Sequence, residues 1–276
     1  MFGADGQLLE KAQARLDIYC PSPEADIVKL SKIAAFMPDN ADGARLRRWV
    51  LDIDDLIAQM RWHLGCVLLL KEMYPALGTE NKEDWVAKHG VPSTGALLLR
   101  EFIVDPTTVL YEDLTTPRRG AQVAGWILHM MVDSAVYRGI AVLDRMAHIL
   151  WCAAGLPSGR VYFRPKNMRR IAESLKSEET SALADIAEQE ITDFVLKYRD
   201  GLTHDLKVYS RLAGFALADV LEDSQGKKVY TSPDPWDADQ LFALGNVTYK
   251  AVVTALSLSV RVCEKKWPAP ANRPEE

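Results

Sequence analysis

From Ala44 to Tyr74 the apolar residues Leu46, Val50, Ile53, Leu56, Ile57, Met60, Leu64, Val67 and Leu68 recur three and four positions apart. That spacing gathers them on one face of a helix some eight turns long, and such a face must be buried against other helices. The same period returns three times. A second segment runs from about Arg119 to Ala154 and carries Val123, Ile127, Met130, Met131, Ile140, Leu143, Ala147, Leu150 and Trp151, stopping at Gly155-Leu-Pro157. A third spans Glu178 to about Arg199, with acidic first turns and a basic end, the polarity that a helix dipole favours. A fourth, from about Asp237 to Lys266, follows Pro235 and presents Leu241, Leu244, Val247, Val252, Leu256 and Val260. Four such segments in 276 residues, 48% of them hydrophobic, predict an all-α fold: a bundle of several long helices around a sizeable core.

Pro and Gly clusters punctuate these segments at Pro21 to Pro23, Pro38 to Gly43, Pro75 to Gly78, Gly90 to Pro92, Pro117 to Gly120, Gly155 to Gly159 and Ser224 to Pro235. They divide the chain into an N-terminal helical region, 1–117, a helical bundle, 118–268, and a disordered tail, 269–276. One stretch departs from the helical period. Phe215 to Val220 and Lys228 to Thr231 flank Asp223-Ser-Gln-Gly226, a pattern that suits one small β-hairpin near 214–232.

A formal net charge of -5 gives no global attraction for phosphates, so any nucleic-acid contact has to use a local basic patch. The four cysteines, Cys20, Cys66, Cys152 and Cys263, lie too far apart in sequence for a zinc or redox motif and read as reduced core thiols. The N-terminal residues lack a basic stretch followed by an apolar run, and the apolar segments are interrupted by Arg, Lys, Asp or His. The expectation is a cytoplasmic protein with no membrane partner.

Metal chemistry finds little support. None of the five histidines has a Glu three positions before it, the spacing by which helical bundles hold paired metals. His129 with Asp133, and Asp144 with His148, stand four apart on a helix and offer either two ligands to one ion or a local hydrogen bond, the more ordinary outcome. Asp52, Asp54 and Asp55 fall on the exposed edge of a helix with no second acidic motif to complete a site, and His63 beside Trp62 reads as structural. No metal or cofactor is expected.

Positive charge is dense in one place, Arg160-Val-Tyr162-Phe163-Arg164-Pro-Lys166-Asn-Met-Arg169-Arg170. Arg160, Arg164, Lys166, Arg169 and Arg170 are candidate RNA-binding residues, with the rings as stacking surfaces for bases. The plainer alternative is a solvated loop opening a short helix.

The strongest candidate for chemistry is Tyr198-Arg199-Asp200-Gly201-Leu202-Thr203-His204, which sets a permanent cation and a titratable imidazole on either side of a glycine helix stop. Arg can grip a non-bridging phosphate oxygen and stabilise charge developing there, while His moves the 2′-hydroxyl proton or protonates the leaving oxygen. If His204 opens the next helix, the positive helix end lowers its pKa and favours the neutral base.

At these residues the chain resembles the HEPN superfamily (higher eukaryotes and prokaryotes nucleotide-binding domains). Its ribonuclease members carry Arg, a polar residue, then His after four to six intervening positions; Arg199, Asp200 and His204 match that pattern. The segment Tyr137 to His148 also looks like the long helix that precedes the motif in one bacterial branch, which makes Asp144 and His148 supporting candidates. The resemblance covers roughly Gly120 to Trp267. It implies a metal-independent endoribonuclease working as a homodimer with both motifs lining one cleft, His204 as acid or base, Arg199 on the scissile phosphate and Asp200 orienting a neighbour. It further suggests a toxin–antitoxin or defence setting with an antitoxin protein as partner. Many members bind without cutting, so the alternative is a non-catalytic HEPN-like module that binds a nucleotide or a partner protein.

Overall fold

The structure, a computed structural model, describes residues 6–35, 37, 41–73, 117–189, 219–222, 228–231 and 238–268. The fold is all-α, with seven helices among the described residues: α1 (Gly6–Tyr19), α2 (Glu24–Ala35), α3 (Ala41–Met73), α4 (Pro117–Ala153), α5 (Pro165–Leu175), α6 (Glu178–Glu188) and α7 (Ala238–Lys266). The hairpin is present as β1 (Asp219–Glu222) and β2 (Lys228–Thr231), antiparallel, with Asp219 opposite Thr231 and Glu222 opposite Lys228. The first strand overlaps the expected 215–220 at Asp219 and Val220 and continues to Glu222; 215–218 and the 269–276 tail lie outside the described residues. None of the helices searched is long and apolar enough to cross a membrane.

Local chemistry explains several boundaries. Helix α4 opens on Pro117, whose missing N–H costs nothing in a first turn. It ends at Gly155, which takes a left-handed φ of 66°. There Gly155 N–H donates to Cys152 O at 3.0 Å and Leu156 N–H to Trp151 O at 3.2 Å, the paired bonds of a Schellman stop. Arg164 is extended because a proline follows it, and Pro165 starts α5. Ser177 and Thr180 cap α6 reciprocally, each side chain accepting from the other's backbone N–H.

Helix α6 corrects one expectation. It does not run to Arg199 but ends at Glu188, where Gln189 turns extended and its N–H is shared between Asp185 O and Ile186 O. The acidic first turn is there, as Glu178 and Glu179, while its last turn holds no basic residue. No Gly or Pro marks this stop, so the apolar spacing that continues past it disguised the end.

The described elements fall into two compact units, to both of which α3, α4 and α7 contribute. One contains α1, α3 from His63, α4 through Ser134, the hairpin and α7 through Gly245. In it Glu72 receives Lys11 and Arg15 from α1, Lys71 pairs with Asp239, and Tyr19 meets Phe242 edge-on at 5.6 Å. The other contains α2, α3 through Trp62, α4 from Ala135, α5, α6 and α7 from Asn246. Its core includes Leu30, Ile53, Ile57, Met60, Ile140, Leu143, Met146, Phe163, Tyr249 and Leu256, all essentially inaccessible. Most of the apolar faces named from sequence are buried; Met130, exposed, and Leu56, Ile127, Met131 and Val247, half-buried, are the departures, while the side chains of Val123 and Leu241 are not described.

Within this second unit α3 and α4 run antiparallel. Arg138 Nε donates to Gln59 Oε1 at 2.6 Å, Arg145 Nε to Asp52 Oδ2 at 3.1 Å, and the Trp49 and His148 rings lie 4.7 Å apart, so α3 descends as α4 ascends. Next to the first pair, Gly139 lies close to both α3 and α7. A Cβ there would meet Thr248 Cγ2 at 2.8 Å and Met60 Cε at 3.1 Å. Thr248 is buried and β-branched, with no freedom to turn away. Gly139→Val therefore overpacks the contact and is expected to lower unfolding free energy by about 2 kcal/mol or more, measured by urea denaturation.

Candidate nucleic-acid interface

The basic run is a fixed element. Val161 and Phe163 are buried plugs, 2% and 0% exposed, while Tyr162 between them is 43% exposed. Alternation of this kind is what an extended segment lying on a core produces. Asp144 on α4 holds the segment down, its Oδ1 accepting from Phe163 N–H at 2.8 Å. Trp151 Nε1 donates to Pro157 O at 2.7 Å and Asn167 Nδ2 to Tyr162 O at 2.9 Å, tying both ends.

The five cations named from sequence divide accordingly. Arg160 and Lys166 are exposed on either side of Tyr162, and Arg164 is half-buried as the N-cap of α5. Arg169 forms an ion pair with Glu188 of α6, which holds the Glu188 carboxyl below the usual carboxylate range. Arg170 lies over the Trp151 ring, 5.1 Å from its centroid. Four of the five cations are therefore exposed, but the two later arginines are engaged by Glu188 and Trp151 and Arg164 is half-buried, which leaves Arg160 and Lys166 as the exposed cations outside these contacts.

Asp144 and His148 do not act as a local pair. Asp144 turns to the loop and His148 to Trp49, tilted 32° from its ring. At about 100° per residue, Asp144 and Trp151 share one side of α4, Arg138 and Arg145 another roughly a quarter-turn away, and His148 lies between them. The imidazole thus stands at the junction of the basic segment and α3. Its pKa is lowered by burial first, then by the Arg45 and Arg145 guanidiniums, all of which favour the neutral ring.

Sequence reading missed the partners of His148. Arg45, Trp49 and Asp52 are spaced four and three apart, one stripe of α3. That spacing was visible, but its relevance depends on α4 lying opposite. Among the aspartates expected on an exposed edge, Asp54 and Asp55 are exposed, while Asp52 is half-exposed and bound to Arg145. His63 is buried, as a structural residue should be, and the His129 side chain is not described. No group of three or more His, Cys, Asp or Glu able to hold a metal occurs among the described residues. Burial pushes the Cys20 thiol up to about 11 and the Cys263 thiol up to about 12, which makes both unreactive at neutral pH. Arg199, Asp200 and His204 lie outside the described residues. Compared with protein-family models, curated proteins and solved structures, the chain matches none.

The His148 shift has a definite sign. A folded-state pKa below the ordinary 6.5 means the folded chain binds fewer protons than the unfolded one, so the stabilisation is present above that value and is lost as pH falls below it. Between about pH 7 and pH 5 the wild-type protein is expected to lose more unfolding free energy than His148→Gln, followed by urea titration at each pH.

Proposed function

We propose that this chain is a metal-independent, HEPN-type endoribonuclease that grips single-stranded RNA through its anchored basic segment. The observation that carries the RNA half of this reading is the Asp144–Phe163 bond: it anchors a segment on which Tyr162 is exposed, with Arg160 and Lys166, also exposed, two and four positions away in sequence. An exposed ring on a segment that also exposes cations is what an unpaired base and its flanking phosphates need, stacking supplying about 1–3 kcal/mol per base. The cutting half rests on the Arg199-Asp200-x3-His204 motif and on its resemblance to the family's pattern.

In this reaction the RNA 2′-hydroxyl oxygen attacks the adjacent phosphorus as its proton passes to a base. The bond from phosphorus to the 5′-oxygen breaks, and that oxygen takes a proton from an acid. The products are a 2′,3′-cyclic phosphate and a 5′-hydroxyl. His204 serves as the acid or base, Arg199 stabilises charge on the non-bridging oxygens and Asp200 orients its neighbour. Two copies of the chain around one cleft would supply both proton carriers, and an antitoxin protein is the partner suited to restrain them.

Two experiments separate the halves. His204→Ala and Arg199→Ala are each expected to reduce cleavage of a labelled RNA by about a hundredfold or more, with cyclic-phosphate ends in the wild-type products and no effect of chelator. Unchanged cleavage in both variants would sink the catalytic assignment. Tyr162→Ala is expected to weaken binding of a non-cleavable single strand by about tenfold, measured by fluorescence anisotropy. A protein that binds RNA through Tyr162 yet leaves no cyclic ends is the non-catalytic alternative.

A further inference from the structure

The Arg45, Arg145 and His148 cluster does not belong to the motif at 199–204, and the geometry around it is that of a receptor for an anion. Arg145 is preoriented: Nε donates to Asp52 Oδ2 at 3.1 Å and Nη1 to Ala141 O at 3.1 Å. A guanidinium has five donors, so these two bonds fix its plane and leave donors for a ligand. The side chain is 30% exposed and Asp52 36%, so the group is reached from solvent. Arg45 stands one helical turn from Trp49 on the same stripe of α3, is exposed, and is near enough for its charge to act on the His148 ring. His148, braced by Trp49, completes the group from α4.

Charge counting selects the ligand. Two guanidiniums against the Asp52 carboxylate leave one positive charge, and protonation of His148 makes it two. That matches a phosphomonoester or inorganic phosphate near neutral pH, which carries about -1.5 to -2, better than the single charge of a backbone diester. Of the other charged groups on the elements around the ring, Asp144 on α4 is engaged by Phe163 N–H, Arg47 on α3 donates to Met37 O, Arg48, Asp54 and Asp55 on α3 are exposed, and Arg164 is half-buried on the segment that Asp144 holds. An anion between the arginines would remove the repulsion that disfavours imidazolium, so binding and protonation of His148 assist each other.

We propose that Arg45, Arg145 and His148 form a binding site for a terminal or free phosphate group, with Asp52 and Trp49 holding two of the three ligands in place. This site stands apart from the ribonuclease reading, and a His204→Ala protein should retain it.

The test uses the full chain at pH 7, titrated with inorganic phosphate and followed by calorimetry and by the His148 imidazole resonance, assigned from His148→Gln. Phosphate is expected to move that resonance and raise its titration midpoint. Arg45→Gln, a surface change that should leave the thermal midpoint alone, is expected to weaken phosphate binding about tenfold. Arg261→Gln, an exposed arginine on α7, should leave it unchanged. Two 2′-O-methyl oligonucleotides of one sequence, one with a 5′-phosphate and one with a 5′-hydroxyl, then compete with phosphate. Competition by the phosphorylated strand alone assigns the ligand to a strand end; competition by neither assigns it to a free phosphate. The proposal is overturned if phosphate leaves the His148 resonance in place, if Arg45→Gln binds phosphate as the wild type does, or if the hydroxyl-ended strand competes equally well.

Discussion

The antiparallel contact between α3 and α4 is the constraint on which the candidate interface depends. Gln59 and Asp52 are seven residues apart, as are Arg138 and Arg145, so the two hydrogen-bonded pairs repeat after two turns on both helices. A seven-residue repeat keeps a seam facing its partner over a long contact. Gly139 lies next to the first pair and lets the backbone approach Met60 and Thr248, where any side chain would hold the helices apart. The face of α4 that meets α3 is thereby set, and so is the adjoining face that carries Asp144 and Trp151 to the basic segment.

Magnitudes separate what stabilises this contact from what aligns it. Ile53, Ile57, Met60, Ile140, Leu143 and Met146 are almost wholly buried, each contributing about 1.5–3 kcal/mol on removal from water. The Arg145–Asp52 pair, about a third exposed on both sides, contributes about 1 kcal/mol or less. The apolar stripe therefore drives association. The polar rungs choose the register, because a shift by one turn would leave Asp52 and Gln59 away from both arginines. The Trp49–His148 contact obeys the same register and holds the neutral imidazole against an aromatic face.

The long helices were legible in the sequence because each buries a single stripe, and a single stripe repeats at the helical period whatever it packs against. The end of α6 was not, since neither Gly nor Pro marks it and Ile191 and Val195 continue the apolar spacing beyond Gln189. The exposure of Met130 was equally hidden: its position satisfies the period, but the period does not say how wide the buried face is. At the candidate interface, composition picked out residues 160–170 and spacing picked out Asp144 and His148. It paired the last two with each other, whereas in the fold each reaches across to a different element. Arg45 and Trp49 carry no local signature at all. They become part of a site only through the partner helix, which periodicity does not identify.

For an acidic chain to attract phosphate, some of its arginines have to stay clear of its own carboxylates, and the placement of Asp144 bears on this. It directly precedes Arg145 in sequence, yet its carboxylate accepts from the Phe163 amide on the adjoining face of α4, about a quarter-turn away. That bond spends an acidic group on anchoring the basic segment. A carboxylate satisfied in this way draws less of the neighbouring guanidinium's attention than one aimed at it, as Glu188 is at Arg169. The same residue thus anchors the segment that exposes Tyr162, and Asp52 is the carboxylate paired with Arg145 among the described residues. With Debye screening near 8 Å at physiological salt, local arrangement of this kind, rather than the net charge of -5, decides whether a phosphate is attracted to this face.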